Sequence, residues 1–105
     1  MTDLEITKLC AEAMGITICE ETRGPLTGKW FRCDDYDFYD EYKPLHDDAQ
    51  AMALVKKFRL TVATERGSSR WMVGPPPHQY ESADNDLNRA ICECVAKMQQ
   101  AKHGR

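Results

Sequence analysis

The stretch "HDDAQAMALVKKFRLTVATERGSSRWMVGPPP", residues 46–77, changes from a helical pattern to a strand pattern. Asp47, followed three residues later by Gln50, matches the capping box that opens many helices. "LTVATE", the turn "RGSS" and "RWMVG" are typical of a β-hairpin, and the prolines must stop its second strand because proline donates no ladder hydrogen bond. The stretch therefore predicts a helix that ends near Phe58, followed by a hairpin.

The helix within this stretch carries a broad apolar face. The two lysines in its last turn lie where the helix dipole favours cations. An amphipathic helix buries its apolar side against the rest of the domain. We expect the buried side to consist of Ala49, Met52, Ala53, Val55 and Phe58.

A helix and a hairpin are also predicted at the N-terminal end. Thr2 and Glu5 form a capping-box pattern, and Gly15 suits the left-handed conformation that closes many helices. "ITICEE" alternates apolar and polar residues, "RGPLTG" is typical of a turn, and "KWFRC" follows as a second strand. The sequence therefore predicts a helix followed by two antiparallel strands.

The last element is predicted to be a helix that begins near Ser82 or Asp84. Its apolar residues recur at spacings of three and four, which is the period of a helix. The resulting order, α-β-β-α-β-β-α, predicts an α+β fold with a four-stranded, mainly antiparallel sheet covered by helices. The apolar stripe of this helix consists of Leu87, Ile91, Cys94, Val95 and Met98.

Length, composition and charge narrow the class of protein. The chain of 105 residues is long enough for one core, so residues 1–105 are expected to form a single domain. A net charge of −3 argues against nonspecific nucleic-acid binding, which needs a surplus of lysine and arginine. The acidic N-terminus does not resemble a signal peptide, and no apolar run reaches the roughly 18 residues that span a bilayer. We expect a cytoplasmic protein that does not bind membranes.

The cysteines are expected to be reduced. Their number is odd and no export signal is visible, so mostly buried free thiols are predicted. A zinc site made from three of them and His78 is an alternative, but the paired spacing of zinc ribbons is missing. The five are Cys10, Cys19, Cys33, Cys92 and Cys94.

Residues 34–41, "DDYDFYDE", form an acidic and aromatic segment. We expect this segment to be a surface, because burying a carboxylate without a partner costs several kcal/mol. A calcium or magnesium site is an alternative, but the glycine of an EF-hand loop is missing. Tyr42, just beyond, is expected to fold back over the sheet. Acids together with tyrosines favour a basic protein partner, and the predicted contact residues are Asp35, Tyr36, Asp37, Tyr39 and Asp40.

No catalytic, cofactor-binding or metal-binding residue is predicted. Nucleophilic catalysis needs a cysteine or serine beside a base, and each histidine has a plainer role available. His46 precedes a helix cap, His78 follows three prolines, and His103 lies near the C-terminal end. A small metal-dependent or Cys/His enzyme stays as the alternative function, and the sequence leaves the oligomeric state open.

Two stretches carry a resemblance to a known family. "YKPLHDDAQAMALVKKFRLTV", at residues 42–62, and "DLNRAICECVAKM", at residues 86–98, resemble an uncharacterised bacteriophage and prophage family described as a phage ABA sandwich domain. The resemblance covers residues 40–102. It implies an α/β/α layering and a small phage-encoded protein in a bacterial cytoplasm, and it implies no reaction. We expect a noncatalytic accessory protein that binds a host or phage protein through its acidic-aromatic surface.

Overall fold

The fold is taken from a computed structural model that describes residues 1–22, 24–33, 41–76 and 80–103. These residues form helices and short antiparallel strands, which confirms the predicted α+β class. A 3-10 turn lies between the first two strands. The helices are α1 (Asp3–Met14), α2 (Asp48–Phe58) and α3 (Leu87–His103), and the strands are β1 (Ile18–Glu20), β2 (Trp30–Arg32), β3 (Thr61–Thr64), β4 (Trp71–Gly74) and β5 (Ser82–Asp84).

Local capping determines where the first two helices begin and where α1 ends. The hydroxyl of Thr2 accepts a hydrogen bond from the amide of Glu5 at 3.1 Å, and the reciprocal half of the capping box is present. Gly15 closes α1 with a φ of 71°, a conformation that glycine adopts without a steric penalty. The carboxylate of Asp47 accepts from the amide of Gln50 at 3.0 Å, so the predicted cap of α2 is confirmed.

The strands form two sheets, so the expected single sheet of four strands is not confirmed. β1 pairs with β2, and β3, β4 and β5 form a separate antiparallel sheet in that order. Each hairpin is extended by the segment that follows it in sequence. Glu41 bridges to Phe31 at the open edge of β2, and β5 occupies the open edge of β4. One edge of each hairpin is therefore already paired within its own half of the chain.

The prediction that α3 begins near Ser82 or Asp84 is wrong. Those residues belong to β5, and α3 begins at Leu87. The carboxylate of Asp86 accepts from the amide of Asn88 at 3.1 Å and so satisfies a donor of the first helical turn. This strand of three residues is too short to display a period of two in the sequence, so it was not predicted.

Helix α3 lies between the three-stranded sheet on one side and α1 and α2 on the other. The expected α/β/α layering is therefore not confirmed, and the observed order is sheet, α3, then the two other helices. The reason is that α3 buries small and apolar residues around most of its circumference, which lets it pack in both directions. The fully or nearly fully buried residues of α3 are Ala90, Ile91, Cys92, Cys94, Val95 and Ala96.

The buried side of α2 differs from the prediction. Ala49 and Met52 are exposed, and Met52 retains 42% of its accessible surface. Ala51 and Leu54 are fully buried instead, while Phe58 packs at the margin of the core. Because alanine and methionine tolerate both environments, their positions did not reveal which side of the helix faces α3.

Candidate binding site on the β1–β2 hairpin

The predicted contact residues Asp35, Tyr36, Asp37, Tyr39 and Asp40 lie outside the residues that the structure describes. The structure does describe the two residues that flank residues 34–40, which are Cys33 and Glu41. Both are held by the same pair of strands. The structure of the candidate site is therefore described at its two ends, Cys33 and Glu41.

Cys33 continues the antiparallel pairing of β1 and β2 by one further residue. Its amide donates to the carbonyl of Thr17 at 3.0 Å. Its sulfur is joined in a disulfide to Cys19, across the hairpin. The N-terminal end of residues 34–40 is therefore attached to β1 both by a hydrogen bond and by a covalent bond.

This disulfide contradicts the expectation of five free thiols. Cys19 pairs directly with Phe31, so Cys33, two residues beyond Phe31, lies diagonally across on the same face of the hairpin. The Cα atoms of Cys19 and Cys33 are 6.0 Å apart, which lies within the range that a disulfide spans. The odd number of cysteines leaves three free thiols, and these are the buried residues Cys10, Cys92 and Cys94.

Glu41, at the other end of residues 34–40, is fixed to both β2 and α2. It bridges to Phe31, and the amide of the next residue, Tyr42, donates to the carbonyl of Trp30 at 2.8 Å. The side chain of Gln50 in α2 donates to the carbonyl of Glu41 at 2.8 Å. Its oxygen accepts from the amide of Lys43 at 2.7 Å. Residues 41–43 are therefore held by hydrogen bonds to both β2 and α2.

Tyr42 folds into the core, which confirms the expectation for this residue. Only 5% of its surface is accessible, and its hydroxyl has no hydrogen-bond partner among the described residues. Burial raises the pKa of the Tyr42 hydroxyl well above its usual range, and the nearby thiols of Cys10 and Cys92 raise it further, although the Arg32 cation opposes them. Tyr42 is therefore a neutral anchor that ties the C-terminal side of the site to the core.

Pockets lie along the seam between the hairpin and the helices. One of about 410 Å³ runs beside α1, where the ammonium of Lys8 stands 5.0 Å from the centre of the Trp30 ring. A second of about 240 Å³ combines three polar and three apolar side chains. The hairpin contacts the helices less extensively than α3 does. The second pocket is lined by Met14, Ile16, Arg32, Tyr42, Gln50 and Ala53.

A catalytic thiol needs a lowered pKa, and the pKa values of Cys92 and Cys94 are shifted in the opposite direction. Burial raises the pKa of Cys94 to about 11. A hydrogen bond with Cys10, together with burial, raises the pKa of Cys92 strongly. Cys10 donates to the carbonyl of Cys92 at 3.4 Å. All three free thiols are buried, which favours a structural role for them over the Cys/His alternative.

Within residues 1–22, 24–33, 41–76 and 80–103, His, Cys, Asp and Glu residues form no group of three or more that could hold a metal ion. No helix in the described part of the chain is both long and apolar enough to cross a membrane. Of the cysteines considered for zinc, Cys19 and Cys33 are joined to each other and Cys10 lies in the core.

No family model, no curated protein and no solved structure matches this chain. The resemblance to the phage ABA sandwich family therefore stays a hypothesis, and the candidate function depends on the geometry around the hairpin.

Sequence reasoning missed the two features that hold this site in place. The pairing of Cys19 with Cys33 depends on strand register, although two cysteines on consecutive predicted strands were a usable signal. The role of Gln50 was partly visible, because its spacing from Asp47 suggested a capping box. Its side chain instead reaches outside the helix, to Glu41 and Lys43.

Proposed function

We propose that this chain is a noncatalytic protein-binding module that uses residues 34–41 to contact a basic surface on its partner. One observation carries the proposal. Cys33 and Glu41, at the two ends of residues 34–40, are both fixed to the β1–β2 hairpin. Attaching both ends of a segment to a scaffold restricts it before binding, which lowers the entropic cost of forming a complex.

The composition of the segment supports a basic partner. It carries five acids and two tyrosines within eight residues. Complementary charge speeds association and suppresses wrong partners, while tyrosine is enriched at the centres of interfaces. The predicted contacts are Asp35, Tyr36, Asp37, Tyr39 and Asp40.

The resemblance at residues 42–62 and 86–98 supports a more specific setting. We propose that the partner is a host or phage protein and that the chain acts as a phage accessory protein in the bacterial cytoplasm. The anchoring of residues 33 and 41 does not depend on this setting, so the binding proposal can be tested separately.

Capture experiments with matched charge variants test the proposal. The wild type, D35N/D37N and E65Q/E81Q would be immobilised and exposed to lysate from phage-infected bacteria, and captured proteins would be identified by mass spectrometry. Both variants remove two negative charges, but Glu65 and Glu81 lie outside the segment. Loss of a specific basic protein from D35N/D37N alone supports the proposal. Equal capture by all three proteins contradicts it.

The salt dependence of capture provides a second measurement. Exposed charges attract less strongly at high ionic strength, because the Debye length falls from about 30 Å at 0.01 M to about 10 Å at 0.1 M salt. We expect the difference between wild type and D35N/D37N to be largest at low salt. A difference that does not change with salt would argue against a charge-driven interface.

A further inference from the structure

The Cys19–Cys33 disulfide lies at the surface, unlike the other three cysteines. Both residues are exposed, and they share the face of the hairpin that also carries Phe31. Thiol–disulfide exchange requires that an attacking thiolate reach one of the two sulfur atoms. An exposed position on a two-stranded hairpin meets this requirement.

The hairpin that carries the disulfide is formed by two short strands. It has three paired positions, from Ile18 with Arg32 to Glu20 with Trp30. An isolated two-stranded hairpin is at best marginally stable in water. Among the named elements, β1 and β2 contact mainly each other, whereas α3 contacts two helices and two strands. The cross-link therefore adds a covalent constraint to the few hydrogen bonds that hold the hairpin, such as the one from the amide of Tyr42 to the carbonyl of Trp30.

We propose that Cys19 and Cys33 form a reversible thiol–disulfide exchange site, with small-molecule or protein dithiols as its substrate class, and that reduction loosens the β1–β2 hairpin while the rest of the fold stays intact. This inference goes beyond the proposed binding function and does not depend on it. The site consists of described residues only.

The exchange proceeds in two balanced steps. One thiolate of the dithiol attacks the sulfur of Cys19 or Cys33, forms a mixed disulfide and releases the other cysteine as a thiolate. The second thiol of the reductant, as its thiolate, then attacks the reductant's sulfur atom in the mixed disulfide. This step releases the remaining cysteine as a thiolate. The reductant leaves as a disulfide. Two electrons have passed to the protein, and the two cysteine thiolates take up the two protons that the dithiol gave up.

The other thiols are protected from this exchange by their positions in the core. Cys10, Cys92 and Cys94 are fully buried. A hydrogen bond with Cys10, together with burial, raises the pKa of Cys92, and burial raises the pKa of Cys94, which keeps these two thiols protonated. A protonated, inaccessible thiol does not attack a disulfide. The exchange should therefore be confined to the hairpin, without reshuffling into the core.

The test combines thiol labelling with hydrogen exchange of the folded protein. Freshly purified protein would be treated with dithiothreitol without denaturant, alkylated and digested. We expect label on Cys19 and Cys33 and none on the other three. The amides of β1 and β2 should exchange at least tenfold faster after reduction, those of α3 and β4 should keep their rates, and oxidised glutathione should restore the original pattern.

Other outcomes overturn the proposal. Reduction that occurs only in denaturant would make the disulfide a purely structural bond. Faster exchange throughout α3 and β4 would mean that reduction unfolds the whole domain, and unchanged exchange in β1 and β2 would mean that the bond does not control the hairpin. Failure of glutathione to restore the bond would remove reversibility.

Two variants keep the test independent of reducing conditions. C19S/C33S should reproduce the hydrogen exchange of the reduced wild type and should not respond to dithiothreitol. C19A leaves the Cys33 thiol at the surface, and oxidised glutathione should add one glutathione to it under native conditions. If that thiol stays unmodified, the position is closed to exchange and the proposal is wrong.

Discussion

The side-chain amide of Gln50, in the first turn of α2, donates to the main-chain carbonyl of Glu41 at 2.8 Å. The same side chain accepts from the amide of Lys43, so one residue satisfies two main-chain groups of an irregular segment. Main-chain groups that lie outside a helix or sheet need such partners when they are removed from water. Gln50 thereby connects the end of the candidate binding segment to the helical layer.

Replacing Gln50 by alanine should lower the free energy of unfolding by about 1 to 3 kcal/mol, because two main-chain groups lose their partners. Urea unfolding gives the measurement. Gln100→Ala is a matched control, because Gln100 is exposed on α3 and should tolerate the change. If the two variants unfold at the same urea concentration, the hydrogen bonds of Gln50 with Glu41 and Lys43 contribute nothing to the stability of the protein.

Replacing Asp47 by alanine should cost about 0.5 to 2 kcal/mol, since the capping oxygen for the amide of Gln50 is lost. Asp48→Ala serves as the comparison, because Asp48 contacts the exposed side-chain amide of Asn88 instead of an amide of the first turn. We expect the urea midpoint to fall further for Asp47→Ala. A larger fall in the urea midpoint for Asp48→Ala would mean that Asp47 is not the residue that caps α2.

Replacing Tyr42 by phenylalanine should raise the free energy of unfolding by about 1 kcal/mol. The Tyr42 hydroxyl is buried without a hydrogen-bond partner among the described residues, so removing it relieves a desolvation cost while the ring stays packed. Tyr80→Phe is the control, because 44% of Tyr80 is exposed. A loss of stability in Tyr42→Phe would show that the hydroxyl makes a bond in the folded protein.

Stability should fall as the pH rises from about 8.5 towards 11. Burial raises the pKa of Cys94 to about 11, whereas an unfolded cysteine titrates near 8.5. Above pH 8.5 the unfolded chain loses a proton that the folded chain retains, so the equilibrium shifts towards unfolding. Below pH 8.5 the contribution of Cys94 to the free energy of unfolding is fully present.

The comparison for this pH dependence is Cys94→Ala. Urea midpoints at several pH values between 8 and 11 should decline less steeply for Cys94→Ala than for the wild type, whatever the variant costs at pH 7. Parallel declines would mean that Cys94 ionises at the same pH in both states. The shared decline of the two proteins would then come from other groups that titrate in this range, such as Cys92 and Tyr42.

The parts of the fold that sequence reasoning predicted correctly are those that neighbouring residues determine. Thr2 with Glu5, Gly15, and Asp47 with Gln50 act within one helical turn, so their side chains are visible in the sequence as helix boundaries. The two early hairpins are likewise local, because each turn lies between its own strands. The burial of Tyr42 was also predicted, since of the tyrosines in and beside the acidic segment it lies nearest to the helix.

Tertiary structure alone decided how these elements combine. Whether two hairpins join in one sheet depends on contacts between strands far apart in sequence, and here Glu41 pairs at the edge of β2 and β5 at the edge of β4. The face of α2 that becomes buried depends on where α3 lies, so Met52 and Leu54 could not be told apart by hydrophobicity. Such choices depend on packing between residues far apart in sequence.

The cysteines show the same division most sharply. Their number and spacing are properties of the sequence, and the resulting prediction of five free thiols is correct only for the three that lie in the core. The pairing of Cys19 with Cys33 required the register of β1 against β2, because a shift of one residue would turn one of the two side chains to the other face of the hairpin. Sequence determined which residues could react, and the folded strands decided which two of them meet.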